Sequence, residues 1–430
     1  MKLINVAWNL IGLLCPLLIA AIAIPLLLNR LGDERFGLLA LTWGLIGYAG
    51  ILDLGIGRAL TKVVSALLGS DDQRNIPVAV KTAVTISIKI SFIGAAFMFL
   101  LAITGSIKFL KIEKIPESEI VFSAVIFSIA LPLQSLSATF KGVNEAYLNF
   151  KAISIIRVIL GVSTFGLPLA ISYYTIAMPA LIGSIVVSRA FALIFYKRQA
   201  EKCIEYIGNV PEKFSEKFKK EIFRFGGWFT ISNIINPIIA SCDKLMLSGL
   251  ISVGVVANYS IAYEITTQLL VGVGAVTTVM FPYLANQIQA NRRIANILFL
   301  KFLTLTVAVM FLVMLLLQIW GAYAMNFWLG NDYVLVLGEY TKILSYGLIP
   351  YTVGTMSLSF LHSIDRVDLT AKIHVVEFPI FLGVIYFLVS AYGVHGACWA
   401  WVLRVSIDSL AMVLALLNVA VFNAKESGVD

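Results

Sequence analysis

Long apolar runs joined by short polar links fill this chain from one end to the other. A helix needs about 20 apolar residues to cross a hydrocarbon core of about 30 Å, and the runs reach roughly that length. The pattern predicts an all-α integral membrane protein with twelve transmembrane helices: 4–29, 36–62, 80–104, 119–140, 151–173, 176–196, 222–249, 254–281, 297–320, 338–361, 371–391 and 396–421.

The longest polar connection runs from Lys197 to Glu221 and separates six predicted helices from another six. We therefore predict an N-terminal six-helix lobe over 1–196, a cytoplasmic basic amphipathic linker over 197–221 and a C-terminal six-helix lobe over 222–430. Two halves of this kind with equal orientation are a plan that transporters use.

Composition supports the assignment to a membrane. Of the 430 residues, 60% are hydrophobic and 13% are charged, whereas soluble proteins contain about 25% charged residues. The mean hydropathy is +0.92. The first apolar run, from Leu3 to Leu28, is longer than the roughly 7–15-residue core of a signal peptide, so we predict that it is a retained span.

The distribution of positive charge predicts the orientation. The N-terminus, the even-numbered connections and the C-terminus hold 21 Lys and Arg residues, whereas the odd-numbered connections hold 6. Cytoplasmic loops carry the excess of positive charge, so both termini are predicted to be cytoplasmic. The net charge of +8 therefore reflects orientation in the bilayer, and we expect no nucleic-acid partner.

Catalytic patterns are absent from the sequence. His362, His374 and His395 form no HExxH pair, and no GxxxxGK nucleotide loop is present. The four cysteines show no paired or metal-ligand spacing. The sequence therefore predicts a protein that is not an enzyme and that has no cofactor and no metal site.

One apolar segment, from Ile51 to Gly69, nevertheless carries Asp53, Arg58 and Lys62. A charge inside a membrane-spanning helix costs at least about 2.5–3.5 kcal/mol, so it usually faces a water-filled cavity or a partner. Arg58 and Lys62 are four residues apart and share one helical face. The segment is predicted to form one wall of a polar passage.

Basic residues in such a passage suit an anionic substrate, because guanidinium and ammonium groups bind phosphate oxygens. The candidates are Arg58, Lys62 and Lys89, the last about 15 Å along the third predicted helix. Acidic residues in the predicted spans are candidates for binding a coupling ion: Asp53, Glu264 and Asp408.

Five further charged residues in predicted spans have both a structural and a functional interpretation: Arg157, Arg189, Asp243, Lys244 and Arg404. Snorkelling explains the first two as well as function does. For the adjacent residues Asp243 and Lys244, the favoured interpretation is a polar contact between helices. Arg404 and Asp408 are four residues apart, and the favoured interpretation is that they neutralise each other.

Several short motifs carry a family resemblance: Asn29-Arg30-Leu31-Gly32 with Phe36-Gly37, then Asp53-Leu54-Gly55-Ile56-Gly57, and Asp243-Lys244-Leu245 with Asn258-Tyr259. Together with the pattern of spans, they resemble the Wzx-type polysaccharide flippases of the multidrug/oligosaccharidyl-lipid/polysaccharide exporter superfamily. The resemblance covers essentially the whole chain.

The resemblance implies two six-helix lobes around a central cleft in a bacterial inner membrane. It implies that an undecaprenyl-pyrophosphate-linked oligosaccharide, such as an O-antigen repeat unit, moves from the cytoplasmic to the periplasmic leaflet by ion-coupled alternating access. The coupling ion would be H⁺ or Na⁺, and a polysaccharide polymerase and a chain-length regulator would be partners. Carried onto this chain, Arg58 and Lys62 would receive the pyrophosphate near the cytoplasmic opening, Lys89 would hold it deeper, and Arg30 would meet it near the outer end.

Three alternatives stay open. A cation-coupled drug or small-molecule antiporter of the same superfamily would be expected to carry an acid in its first span, and 4–29 contains none. A membrane-embedded glycan polymerase would be expected to have a sizeable outer loop, and every predicted outer loop here is short. A peptidoglycan-precursor flippase usually has two more spans than the twelve predicted.

Overall fold

The fold was analysed in a computed structural model, which describes residues 3–52, 54–104, 115–204, 214–251, 253–329 and 334–426. Within these ranges every regular element is helical, which confirms the predicted all-α class. The chain forms two compact units, unit 1 over Met1–Gly227 and unit 2 over Trp228–Asp430.

Unit 1 contains seven α-helices and the beginning of an eighth among its described residues. They are α1 (Leu3–Leu52), α2 (Ile56–Leu68), α3 (Ile76–Ile103), α4 (Glu117–Ser128), α5 (Ala130–Ala146), α6 (Phe150–Ser172), α7 (Met178–Ile204) and α8 (Glu216–Leu250). A core of aliphatic side chains, with Leu27, Leu39 and Met178 fully buried, joins α1 to α4, α6 and α7.

Two backbone breaks shape the first 68 residues. Gly32 has φ 70° and ψ 171° and interrupts α1 between the predicted spans 4–29 and 36–62. Leu54 and Gly55 both have positive φ, at 50° and 65°, and separate α1 from α2. A positive φ is uncommon for a residue with a side chain such as Leu54. The break lies within the second predicted span, 36–62, and the hydropathy of the sequence does not indicate it.

Unit 2 contains the remainder of α8 and six further helices among its described residues: α9 (Val253–Leu269), α10 (Val271–Ala290), α11 (Arg292–Leu329), α12 (Val334–Ser345), α13 (Leu348–Ser363) and α14 (Val367–Glu426). Gly393, with φ 60° and ψ −131°, interrupts α14. The chain reverses there and the two halves of α14 pack together. They approach so closely that a Cβ on Gly396 would overlap the carbonyl oxygen of Leu388.

In the described part of the chain, eight helical stretches are long and apolar enough to cross a membrane. One of them, Val367–Val419, has 53 residues and would be about 80 Å long if straight. Its reversal at Gly393 divides it into two helical segments that correspond to the predicted spans 371–391 and 396–421, and two separate crossings there stay a prediction. The total of twelve spans stays a prediction.

The predicted linker 197–221 has helical ends, since α7 continues to Ile204 and α8 begins at Glu216. Residues 205–213 lie outside the described ranges. The apolar side chains of Phe218, Ile222 and Phe225 are buried, so protein covers that side of α8. The division of the chain at this linker into two six-helix lobes stays a prediction.

Candidate functional site

A buried carboxylate organises the charges of unit 1. Glu145 on α5 is 5% exposed, and its Oε2 lies 3.6 Å from Nη1 of Arg58. Its Oε1 lies 3.3 Å from Nζ of Lys141. Close packing of α2 on α5 makes this possible, because Gly57 and Gly142 lack side chains where the two backbones touch. Two cations, Arg58 and Lys141, therefore share one carboxylate.

Lys62 lies one turn after Arg58 on α2 and has a different partner. Its side chain is 9% exposed, and its Nζ lies 2.8 Å from Oε1 of Glu221 at the beginning of α8. Two further contacts hold the same region of α8 on unit 1. The backbone N–H of Ser215 donates a hydrogen bond of 3.0 Å to Oγ1 of Thr82, and Gly226 packs against the carbonyl oxygen of Leu54.

The other two predicted substrate-binding residues are exposed. Lys89 projects from the middle of α3 and has no ion-pair or hydrogen-bond partner among the described residues. The guanidinium of Arg30 lies 3.7 Å from the centre of the Tyr173 ring, and its Nη2 donates a 3.4 Å hydrogen bond to the carbonyl oxygen of Ser172. Asp53, a predicted ion-coupling residue, lies outside the described residues.

Arg157 and Arg189 join helices of unit 1. Nη1 of Arg157 donates a 2.9 Å hydrogen bond to Oδ1 of Asn9 on α1. Arg189 on α7 donates hydrogen bonds of 3.4 Å to Gln134 on α5 and to Thr164 on α6. These interhelical contacts give both arginines a structural role.

Asp243 and Lys244 in unit 2 make the polar contact between helices that was favoured for them. Asp243 is 2% exposed and accepts a hydrogen bond from the hydroxyl of Tyr259 on α9. Nζ of Lys244 lies 3.0 Å from Oε1 of Glu264, also on α9. Glu264 is exposed at 55%, so this predicted ion-coupling residue sits in an accessible ion pair.

The reversal of α14 assembles a second charged group from its two halves. Nη1 of Arg404 lies 3.8 Å from Oε1 of Glu377, and Nε2 of His374 lies 3.7 Å from Oδ1 of Asp408. We call these four residues the α14 cluster. The partner of Arg404 is thus Glu377 on the opposite half, and no ion pair joins Arg404 to Asp408 among the described residues. The nearest carboxylate to Arg404 therefore lies across the turn, while the charge of Arg404 also acts on Asp408.

The sequence interpretation missed His374 and Glu377. A signal existed, because His374 and Glu377 are three residues apart and Arg404 and Asp408 are four apart, so each pair lies on one face of its helix. The glycine between two adjacent predicted spans would have brought those faces together. Spacing within one helix does not reveal the partner of His374, because Asp408 lies on the other half of α14.

A polar cavity of about 520 Å³ within unit 2 opens onto the α14 cluster. Its other walls include Asn236, Tyr263, Thr267, Tyr351 and Trp401. One buried polar atom in each cluster residue has no hydrogen-bond partner in the part of the chain described: Nδ1 of His374, Oε1 of Glu377, Nε of Arg404 and Oδ1 of Asp408. Leaving such an atom unsatisfied costs about 1–3 kcal/mol, so the cluster has capacity to bind another group.

The chemistry of the α14 cluster favours a proton over a metal ion. Ligand atoms of His374, Glu377 and Asp408 lie within 4.8 Å of one another. A metal ion there would share the Glu377 carboxylate with the permanent positive charge of Arg404, which weakens it as a ligand. Two carboxylates and one guanidinium leave a single negative charge, and one proton neutralises it.

Comparison with known proteins gives the chain a family and a fold. Residues 3–287 match the polysaccharide biosynthesis protein family. A putative O-antigen transporter of Shigella flexneri is 27% identical over 95% of this chain and 96% of its own length. The lipopolysaccharide biosynthesis protein WzxC of Escherichia coli is 22% identical over 65% of this chain and 56% of its own length.

Solved transporter structures share the fold. The Vibrio cholerae MATE transporter VcmN in its bent form superposes with a TM-score of 0.81 at 13% identity, over 96% of this chain and 95% of its own. A MOP-superfamily transporter from Pyrococcus furiosus superposes with a TM-score of 0.79 at 12% identity, over 96% and 93%. These likenesses confirm the predicted class of membrane transporter fold.

Proposed function

Because this chain belongs to the polysaccharide biosynthesis protein family, we propose that it moves an undecaprenyl-pyrophosphate-linked oligosaccharide from the cytoplasmic to the periplasmic leaflet of a bacterial inner membrane. The observation that carries the proposal is the similarity, along nearly its whole length, to a putative O-antigen transporter. The chain is a multi-pass membrane transporter and not an enzyme.

We assign binding of the substrate pyrophosphate to Lys89 and Arg58. An exposed ammonium in the middle of a membrane-spanning helix costs at least about 2.5–3.5 kcal/mol unless water or a partner reaches it. Lys89 has no protein partner among the described residues, so an anionic substrate would offset that cost. Arg58 adds a partly exposed guanidinium, and it shares the Glu145 carboxylate with Lys141.

Lys62 and Arg30 have secondary roles in the proposal. Lys62 is paired with Glu221, so it holds α8 on unit 1 in the arrangement described and meets substrate only where that pair opens. Arg30 stacks on Tyr173 near the end of α6, where it would meet the pyrophosphate last.

In the proposal, the α14 cluster binds the coupling ion. Its single excess negative charge is neutralised when Asp408 or Glu377 takes up a proton, and neutral side chains are tolerated better inside a bilayer than charged ones. Protonation would therefore favour a more tightly packed arrangement of the two halves of α14. Of the two predicted coupling ions, H⁺ and Na⁺, H⁺ therefore fits the cluster better. Glu264 is the weaker candidate because Lys244 already neutralises it.

Depletion of the protein in its own host tests the function. Lipid-linked repeat units should accumulate and surface glycan should disappear, and the wild-type chain should restore both. A host that keeps its surface glycan but becomes sensitive to cationic drugs would instead identify a drug antiporter. Unpolymerised units that still reach the periplasm would identify a polymerase.

A further inference from the structure

A second cavity of about 630 Å³ lies between the two halves of α14, on unit 2. Aliphatic side chains from both halves form most of its wall, among them Ile373, Val376, Ile380, Ile407 and Leu414. Several are strongly exposed, with Val376 at 60% and Ile380 at 54%. A continuous exposed apolar surface of this kind in a membrane-spanning helix pair is suited to hydrocarbon.

One end of this groove is basic. Arg366 and Lys372 line it there, and their side chains are 41% and 60% exposed. Asp368 lies 3.3 Å from Nε of Arg366 and 3.8 Å from Nζ of Lys372, so one carboxylate sits between the two basic side chains. Nζ of Lys372 also lies 5.5 Å from the centre of the Trp228 ring, and tryptophan with lysine is typical of the membrane–water interface.

The groove is long enough to hold one lipid chain that enters from one face of the bilayer. From Arg366 to Ile380 the helix advances about 21 Å at 1.5 Å per residue, whereas half of a hydrocarbon core is about 15 Å thick. A chain that begins at the basic end would therefore reach past the middle of the bilayer.

We propose that an anionic phospholipid occupies this groove, with its phosphate between Arg366 and Lys372 and one acyl chain along the aliphatic wall. Two exposed basic side chains can share a phosphodiester that carries one negative charge, and basic pockets between membrane helices bind such headgroups. The phospholipid is a component of the bilayer, and the proposal does not depend on which substrate is transported.

The lipid has a consequence for the α14 cluster. Glu377 and Asp408 line the apolar groove as well as the polar cavity on the other side of α14. An acyl chain in the groove covers them from the bilayer side and excludes water there. The polar cavity then becomes the route by which ions reach these two carboxylates.

Native mass spectrometry of the full chain, titrated with phosphatidylglycerol and separately with phosphatidylcholine, tests the proposal. Wild type should retain one phosphatidylglycerol. Arg366→Gln with Lys372→Gln should weaken its binding about 30-fold, because each basic residue near the surface contributes about fivefold. Arg366→Lys with Lys372→Arg keeps both charges and should retain the lipid, which would show that binding requires the charges at these two positions.

Two matched variants complete the test. Ala411→Leu with Ala415→Leu fills the groove without changing charge and should also displace phosphatidylglycerol. Arg292→Gln with Arg293→Gln removes two exposed charges elsewhere on unit 2 and should leave binding unchanged. Equal loss in this control, or full binding after the groove is filled, would overturn the proposal. Displacement of phosphatidylglycerol by undecaprenyl phosphate at equal concentration would show that the occupant is an isoprenoid lipid instead.

Discussion

Replacement of Arg404 by Met removes the only positive charge of the α14 cluster and leaves Glu377 without its partner. At 3.8 Å and an effective dielectric constant of about 20, the attraction between the two charges is about 4 kcal/mol. The side chains are 13% and 8% exposed, and breaking a buried pair from one side typically costs about 3–5 kcal/mol. We expect Arg404→Met to lower the free energy of unfolding by about 3 kcal/mol.

A double-mutant cycle identifies the partner. Glu377→Gln combined with Arg404→Met removes both members of the pair and should recover most of the loss, because the cluster then keeps the single net negative charge that it has in the wild type. Asp408→Asn combined with Arg404→Met should recover less, since the structure pairs Arg404 with Glu377. Arg404→Lys keeps the charge and serves as the control.

The assay is unfolding of the purified protein by denaturant in one fixed detergent, followed by circular dichroism and by tryptophan fluorescence. Rescue by Asp408→Asn that equals or exceeds rescue by Glu377→Gln would refute the reasoning and restore the pairing expected from sequence. A loss of less than about 1 kcal/mol for Arg404→Met would show that water screens the cluster.

Three further predictions concern unit 1. Gly142→Ala places a Cβ against the carbonyl oxygen of Gly57 and should destabilise the protein by about 1–3 kcal/mol, measured by thermal unfolding. Lys62→Met should cost about 1.5–3 kcal/mol, because it leaves the partly buried Glu221 without its hydrogen bond, and protease cleavage near the start of α8 should become faster. Lys89→Glu should abolish glycan export while membrane insertion stays normal, measured by complementation of a depleted host.

Each of these has a matched control. Gly94 has open space around its Cβ position, so Gly94→Ala should be neutral or slightly stabilising, and equal losses at Gly94 and Gly142 would contradict the packing argument. Unchanged proteolysis in Lys62→Met would contradict the anchoring role of that pair. Lys301 is an exposed lysine of α11, and Lys301→Glu should export glycan normally. Normal export by Lys89→Glu would remove Lys89 from the proposed binding site.

Much of the helical pattern follows from the sequence, because apolar run length decides what can cross a bilayer. The gaps predicted at 30–35 and at 392–395 contain Gly32 and Gly393, where the backbone does break. Other breaks were not predictable in this way. The predicted spans 119–140 and 338–361 are interrupted at Ile129 and at Tyr346–Gly347. Hydropathy does not detect these breaks, because the residues at each turn leave the average over the apolar run almost unchanged.

The family resemblance drawn from the short motifs is confirmed by the family match and by the shared fold. The charged sites were predicted less well. Arg404 and Asp408 were identified as charges within spans, but their neighbours His374 and Glu377 lie on the other half of α14. Side-chain spacing along one helix shows which residues share a face, and it does not show which face of another helix they meet.

The most direct test of the account is transfer of a fluorescent undecaprenyl-pyrophosphate-linked oligosaccharide between leaflets in proteoliposomes that contain only this protein, with a proton gradient imposed. Access of a membrane-impermeant glycosidase to the sugar reports the leaflet. The account predicts that wild type transfers the sugar faster than protein-free vesicles do, that collapsing the gradient slows it, and that Lys89→Glu abolishes it. Wild-type vesicles that transfer the sugar no faster than protein-free ones would contradict the account.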